Sequence, residues 1–145
     1  MNKLNNQKGQ ALVEFAFVAV ILLVLVLGVT EFGRAWYYDN ALDTAVRAGV
    51  RMASEMYPVP ATDDARIKTY IQNHVPSSIS DSVLVSVEAP TKDNGKLVKV
   101  TASYAFAESL LNPLNSLAST FHMGDVPKSF TLVRTGTMYY ELAIP

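Results

Sequence analysis

The sequence predicts an α+β fold: a long N-terminal helix packed on a small antiparallel β-sheet of about three strands, with a short second helix. Three patterns carry this. An apolar run over residues 11–29 continues without proline into an amphipathic stretch that reaches Met56. A segment bounded by Pro60 and Pro76 repeats its apolar residues at helical spacing. Two later stretches, residues 83–89 and 98–106, alternate apolar and polar side chains with the period of a half-buried strand.

The first helix begins in ALVEFAFVAVILLVLVLGV, which carries a single charge, Glu14. A bilayer core takes roughly 20 apolar residues as a helix, whereas the apolar region of a secretory signal has about 7 to 15 and ends in a small-x-small site. The residues that follow, TEFGRAWYYDN, contain no Ala-x-Ala. A retained membrane helix over about residues 11–30 is therefore expected. Lys3 and Lys8 precede it with no acid beside them, which favours a cytoplasmic N-terminus and places the rest of the chain outside. Trp36, Tyr37 and Tyr38 follow the run, and such rings favour the membrane–water boundary or pack as ordinary helix residues. Beyond them, Ala35, Leu42, Ala45, Val46, Gly49, Val50, Ala53 and Met56 fall on one arc, with Asn40, Thr44, Arg47, Arg51 and Glu55 opposite. Asp39 is the exception inside the apolar arc. Asp43–Arg47 and Arg51–Glu55 are spaced i,i+4, as helical ion pairs. One helix over residues 11–56 would be roughly 69 Å long.

Pro58-Val59-Pro60 ends this helix. Thr62 or Asp63 is the expected cap of the second helix, with Asp63 and Asp64 at its positive end. Ile67, Tyr70, Ile71 and His74 form its apolar face, and Pro76 closes it. Val83, Val85, Val87 and Ala89 make the dry side of a first strand. Val98, Val100, Ala102, Tyr104 and Phe106 make that of a second, the two joined by a turn at Asp93-Asn94-Gly95. A third strand is expected near residues 130–140, where Arg134 and Gly136 interrupt the apolar side. Leu110, Leu111, Leu114 and Leu117 suggest a short irregular helix around Pro113. The dry face of the sheet is expected to pack on the apolar arc of the long helix.

The composition narrows the function classes. The chain has 145 residues and a formal net charge of −1, so no basic surface for nucleic acid is implied. It has no cysteine, which excludes disulfides, thiolate zinc sites and lipoprotein attachment. His74 and His122 stand apart from each other and from any acidic pair, and Asp63-Asp64 and Asp93-Asn94-Gly95 read as a helix cap and a turn. No nucleophile–base pair, phosphate loop or metalloprotease motif is present. No enzyme activity, metal or cofactor is expected.

The stretch KGQALVEFA, the apolar run, and then GVTEFGRAWYYDNALDTAVRAGVRMA resemble the TadE-like family, the minor pilins or pseudopilins of tight-adherence, Flp-type type IVb pili. The resemblance is close over about residues 8–53. FTLVRTGTMYYE looks more loosely like the family's last strand. It implies a pilin-like fold and a membrane prepilin peptidase that cuts on the cytoplasmic side, between Gly9 and Gln10. Residues 1–9 are then a leader, residues 10–57 the transmembrane and assembly helix, and residues 58–145 an extracytoplasmic α+β domain. The leader has two lysines and no acid, so the processed chain has 10 basic against 13 acidic side chains, a formal −3. Glycine lets a peptidase approach an extended backbone closely. The new α-amino group, with an ordinary pKa of about 7.7–8.0, lies within reach of Glu14, the fifth residue of the processed chain. The resemblance implies that Glu14 pairs with such an amine, its own or a neighbour's, and so sets the register between subunits in a filament core without water. The implied partners are the prepilin peptidase, other pilin and pseudopilin subunits, the inner-membrane assembly platform and membrane lipid. The implied location is the inner membrane, then a pilus or the cell surface, with a role in adhesion or biofilm. A domain of this size beyond the helix favours a minor subunit. A major filament subunit and a single-pass anchored binding domain without a filament are the alternatives.

Overall fold

A computed structural model of the protein describes residues 3–56, 59–91, 95–107 and 129–140. Helix α1 spans Lys3–Glu55, and the chain divides into two units within it: residues up to Arg34 belong to the first and those from Ala35 to the second. The helix starts about two turns earlier than the apolar run predicts. Residues 3–10 contain no proline, and a helix already nucleated adds one hydrogen bond for each residue it takes up.

In the first unit α1 is apolar all round over residues 11–29, Glu14 apart. Leu12, Phe15, Phe17, Ile21, Leu23 and Leu25 are all exposed. The helix is long and apolar enough to cross a membrane. A surface of this kind is stable only against lipid or other helices. At the end of the run Thr30 donates its hydroxyl to the Val26 carbonyl (2.8 Å), which satisfies it without a partner outside the helix.

In the second unit the expected arc of α1 is the buried one. Leu42, Ala45, Val46, Val50 and Ala53 form a core with Ile67 and Ile71 of the second helix and with Val87, Val98, Val100 and Ala102 of the sheet. Asn40, Thr44, Arg47, Arg51 and Glu55 are exposed, and both i,i+4 ion pairs form, at 2.8 Å (Asp43–Arg47) and 3.5 Å (Arg51–Glu55). Helix α2 spans Ala65–His74. Its cap is Asp64, not Thr62 or Asp63: the Asp64 carboxylate accepts from the Arg66 N–H (2.9 Å) and the Ala61 N–H (3.3 Å). Asp63 cannot cap because its backbone is left-handed (φ 56°) and its groups face the sheet. Its N–H donates to the Val87 carbonyl (2.8 Å), and its carboxylate accepts from the Val87 N–H (3.2 Å). On the face of α2, Ile67 and Ile71 are buried, Tyr70 half-buried and His74 exposed, its ring stacked on Tyr70. A single 3-10 turn, Ser80–Ser82, which the sequence patterns do not anticipate, leads into the sheet.

The sheet has three antiparallel strands in the order β1-β2-β3: Leu84–Glu88, Leu97–Ala107 and Ser129–Tyr139. Leu84 stands opposite Ser103 and Glu88 opposite Lys99; Leu97 stands opposite Tyr139 and Phe106 opposite Phe130. The predicted dry residues of the first two strands face the core, and their alternates face out. Gly95 and Lys96 both adopt left-handed φ (70° and 62°) in the turn before β2, a conformation that costs glycine nothing. Asp93 and Asn94, Pro58, His122 and the leucines around Pro113 lie outside the described residues.

Candidate functional site

The residues singled out in the sequence lie along α1. Gly9 and Gln10 are both helical and exposed, and a side chain added at Gly9 would meet nothing within 4 Å. The bond between them is thus accessible, and in this state it lies within a helical turn. Glu14 is exposed one turn beyond Gln10 on the same helix face. The other residues one turn from it are Ala11, Phe17 and Val18, so the sequence sets no cation beside this acid. The one position at helical distance where a positive charge can arise is Gln10, as a chain terminus.

The aromatic cluster divides. Trp36 and Tyr37 are exposed (62% and 58%), as rings at a membrane boundary or a subunit contact are. Tyr38 turns into the second unit instead. Its ring meets Tyr104 edge-on (5.6 Å between centroids) and Phe106 (6.1 Å), and its hydroxyl lies 3.3 Å from Ser78 Oγ. The three residues span three-tenths of a turn on either side of Tyr37's direction, and only Tyr38 falls on the core arc.

Two charged pairs complete the region. Glu31 is buried (5% exposed) and pairs with Arg34 three residues on (3.1 Å). Sequence reasoning passes over this pair. Its signal is an acid and an arginine at i,i+3 directly after an apolar run. Asp39, the misfit of the apolar arc, accepts from Arg134 of β3: Arg134 Nε lies 2.9 Å from Asp39 Oδ1, and the terminal amino group bonds the other oxygen. The Asp39 carboxylate holds the Arg134 guanidinium pKa above its ordinary value, and Asp43 adds to this.

Among the described residues no group of three or more histidine and acidic side chains is placed to hold a metal ion. His74 Nδ1 lies 2.7 Å from the Tyr70 carbonyl, which engages that nitrogen locally. What the arrangement supports physically is association: an apolar helix whose large side chains are exposed, one acid in its first turns, and a packed unit carried by the same helix.

No curated protein and no solved structure shows significant similarity to the chain. Residues 9–51, from the glycine before the apolar run to Arg51 on the amphipathic half of α1, match the sequence model of the family described as TadE-like protein, so this segment is similar to that family.

Proposed function

We propose that the chain is a minor pilin subunit of a tight-adherence, type IVb pilus. It is cut by a prepilin peptidase between Gly9 and Gln10 and assembled through α1. The observation that carries this reading is the setting of Glu14: the single charge of residues 11–29, with no cation one turn away, five residues after a glycine that opens the TadE-like match. An unpaired acid at the centre of a membrane helix costs about 2.5–3.5 kcal/mol, less near an end. A cut after Gly9 supplies the missing cation at Gln10.

Before processing, α1 anchors the protein by a single pass with its N-terminus inside. The peptidase must unwind the helical turn at Gly9–Gln10, and glycine resists this least, because it gains most freedom when a helix opens. After processing, the apolar half of α1 leaves lipid for the company of other pilin helices on the inner-membrane assembly platform. There the Gln10 amine and Glu14, within or between subunits, fix the axial register. The chain's role is structural, not catalytic, and it needs no cofactor. The packed unit outside the membrane marks a priming or tip subunit rather than the bulk of the filament.

Co-expression with a prepilin peptidase, followed by intact-mass measurement, tests the processing step. The wild-type chain is expected to lose the mass of residues 1–9, and Gly9→Ala to keep it. Equal, full-length masses for both would overturn the proposal.

A further inference from the structure

The two edges of the sheet are treated differently. At the β1 edge, Val87 exchanges hydrogen bonds with Asp63, so the loop before α2 covers the C-terminal half of a five-residue strand. Short, covered edges are the usual protection against unwanted strand pairing. The β3 edge has no such protection. It is 11 residues long, and among the described residues no strand or loop bonds to its outer side.

The phase of this edge follows from one bond. Tyr140 donates its N–H to the Lys96 carbonyl (2.8 Å), in register with the ladder that pairs Tyr139 with Leu97. Because antiparallel strands bond at alternate residues, Met138, Gly136, Arg134 and Leu132 direct their backbone groups to β2. Thr131, Val133, Thr135, Thr137 and Tyr139 direct theirs outward. These five side chains are all uncharged, and none is a lysine or proline of the kind that blunts an edge. The charge of Arg134 is engaged by Asp39.

Beside this edge runs a groove of about 440 Å³ between β3 and α1. Val46, Val50, Gly136 and Met138 supply its apolar lining, and Asp43, Arg47 and Arg51 stand along its helical wall, two cations against one acid. Both arginine side chains are about three-quarters exposed (77% and 76%), each with one acid on its own helix. A strand edge beside a helix wall is the geometry in which a peptide adds as a further strand: backbone bonds give affinity and alternate side chains enter the groove. We propose that the outer edge of β3 takes up an extended segment of another protein chain as a fourth strand. That segment has small or β-branched residues over Gly136 and a carboxylate facing Arg47 and Arg51. A second copy of β3 fits less well. Antiparallel self-pairing about a twofold axis normal to the sheet reverses α1 in the second copy, whereas copies anchored in one membrane run parallel. β3 also brings no carboxylate to the arginines. The edge and the groove lie in the second unit, the preference over self-pairing rests on the proposed single-pass anchor, and neither requires cleavage at Gly9.

Hydrogen exchange followed by NMR on the full chain in detergent micelles tests it. The probes are two blocked decapeptides of alternating threonine and valine, one ending in two aspartates and the other in two lysines. With the aspartate peptide, exchange at Thr131, Val133, Thr135, Thr137 and Tyr139 is expected to slow about tenfold, while Leu132, Arg134, Gly136 and Met138, already in the ladder, stay unchanged. The aspartate peptide is expected to bind at least about threefold more tightly than the lysine peptide, and Arg47→Glu with Arg51→Glu to reverse that order. Thr135→Pro removes one outward N–H without touching the ladder and is expected to abolish the protection. The proposal is overturned if neither peptide protects the five amides, if both bind equally, or if the same protection appears with rising protein concentration and no peptide.

Discussion

Arg134 of β3 and Asp39 of α1 face each other across 95 residues of sequence and bond through two nitrogens and both carboxylate oxygens. Each is the charged residue that breaks the apolar pattern of its own element, and each does so at the position where the other arrives. The Asp39 side chain is 19% exposed and that of Arg134 43%, so the pair lies at the rim of the core and is only partly screened. Asp39→Asn or Arg134→Gln should each lower stability by about 1 kcal/mol, roughly 4 °C in a thermal melt followed by circular dichroism in detergent. The exchanged pair, Asp39→Arg with Arg134→Asp, should recover part of that loss. If the singles are neutral, the pair contributes nothing measurable and the explanation of both misfits fails.

Gly49 tests the contact between α1 and α2. A Cβ at this position would stand 2.7 Å from two carbons of the Ile71 side chain, which is itself fully buried. Alanine would raise helix propensity by roughly 1 kcal/mol, but overpacking of a filled core costs about 1–3 kcal/mol. The clash is expected to win: Gly49→Ala should lower the melting temperature, and Gly49→Ala with Ile71→Val should restore most of it. A Gly49→Ala chain more stable than wild type would show that α2 slides freely on α1.

Asp64 gives the acid limb of stability a defined origin. Its bond from the Arg66 guanidinium, helped by the Arg66 and Ala61 N–H groups, lowers its pKa to about 2 against a burial effect that raises it. A carboxylate with a folded pKa below its unfolded value of 3.8 stabilises the fold above pH 3.8 and loses that contribution as pH falls towards 2. After allowance for solvent screening the contribution is about 1 kcal/mol. Asp64→Ala should therefore be less stable than wild type at pH 6, and the difference should shrink between pH 4 and pH 2. Asp63 is also lowered, first by its bond from the Val87 N–H. Protonation of Asp63 in acid should expose the Val87 amide to exchange. A difference between wild type and Asp64→Ala that is constant from pH 6 to pH 2 would assign the effect to packing instead.

Much of this fold is legible in the sequence, because period and proline placement dictate it. The apolar arc of α1 and the dry faces of β1 and β2 follow from side-chain direction alone, and Pro58, Pro60 and Pro76 fall where the helices stop. The sequence is less informative where a residue's role depends on a partner far along the chain. Arg134 and Gly136 look like flaws in a strand until α1 is beside them: the arginine meets Asp39, and the missing side chain at Gly136 leaves room for Val46, 3.0 Å from where a Cβ would stand. Asp63 looks like a cap, and only the Val87 backbone shows that it fastens β1. The aromatic triplet reads as one cluster in sequence, yet Tyr38 is drawn into the core by Tyr104 and Phe106. Glu14 is the opposite case. Its setting is fully written in the sequence, and its partner is not in the described fold.

That makes Glu14→Ala the most informative substitution in the chain. Position 14 is exposed on α1 and touches no core residue, so alanine should leave the packed unit and its melting temperature unchanged. It also leaves Gly9 and Gln10 in place, so the peptidase should still cut. On the proposed reading, what it removes is the acid that answers the Gln10 amine. Inside a bundle of helices without water, the unanswered amine carries a cost of several kcal/mol, as any unpaired buried ion does. The variant should therefore be processed normally, remain in the membrane and be missing from sheared pili on immunoblots. Glu14→Gln should behave in the same way, because an amide of equal size lacks the charge. Acetylating the processed terminus should relieve part of the defect, since it removes the cation that the variant leaves unpaired. Processed Glu14→Ala that enters pili at wild-type yield would sink the pairing argument and leave α1 to set its register by packing alone.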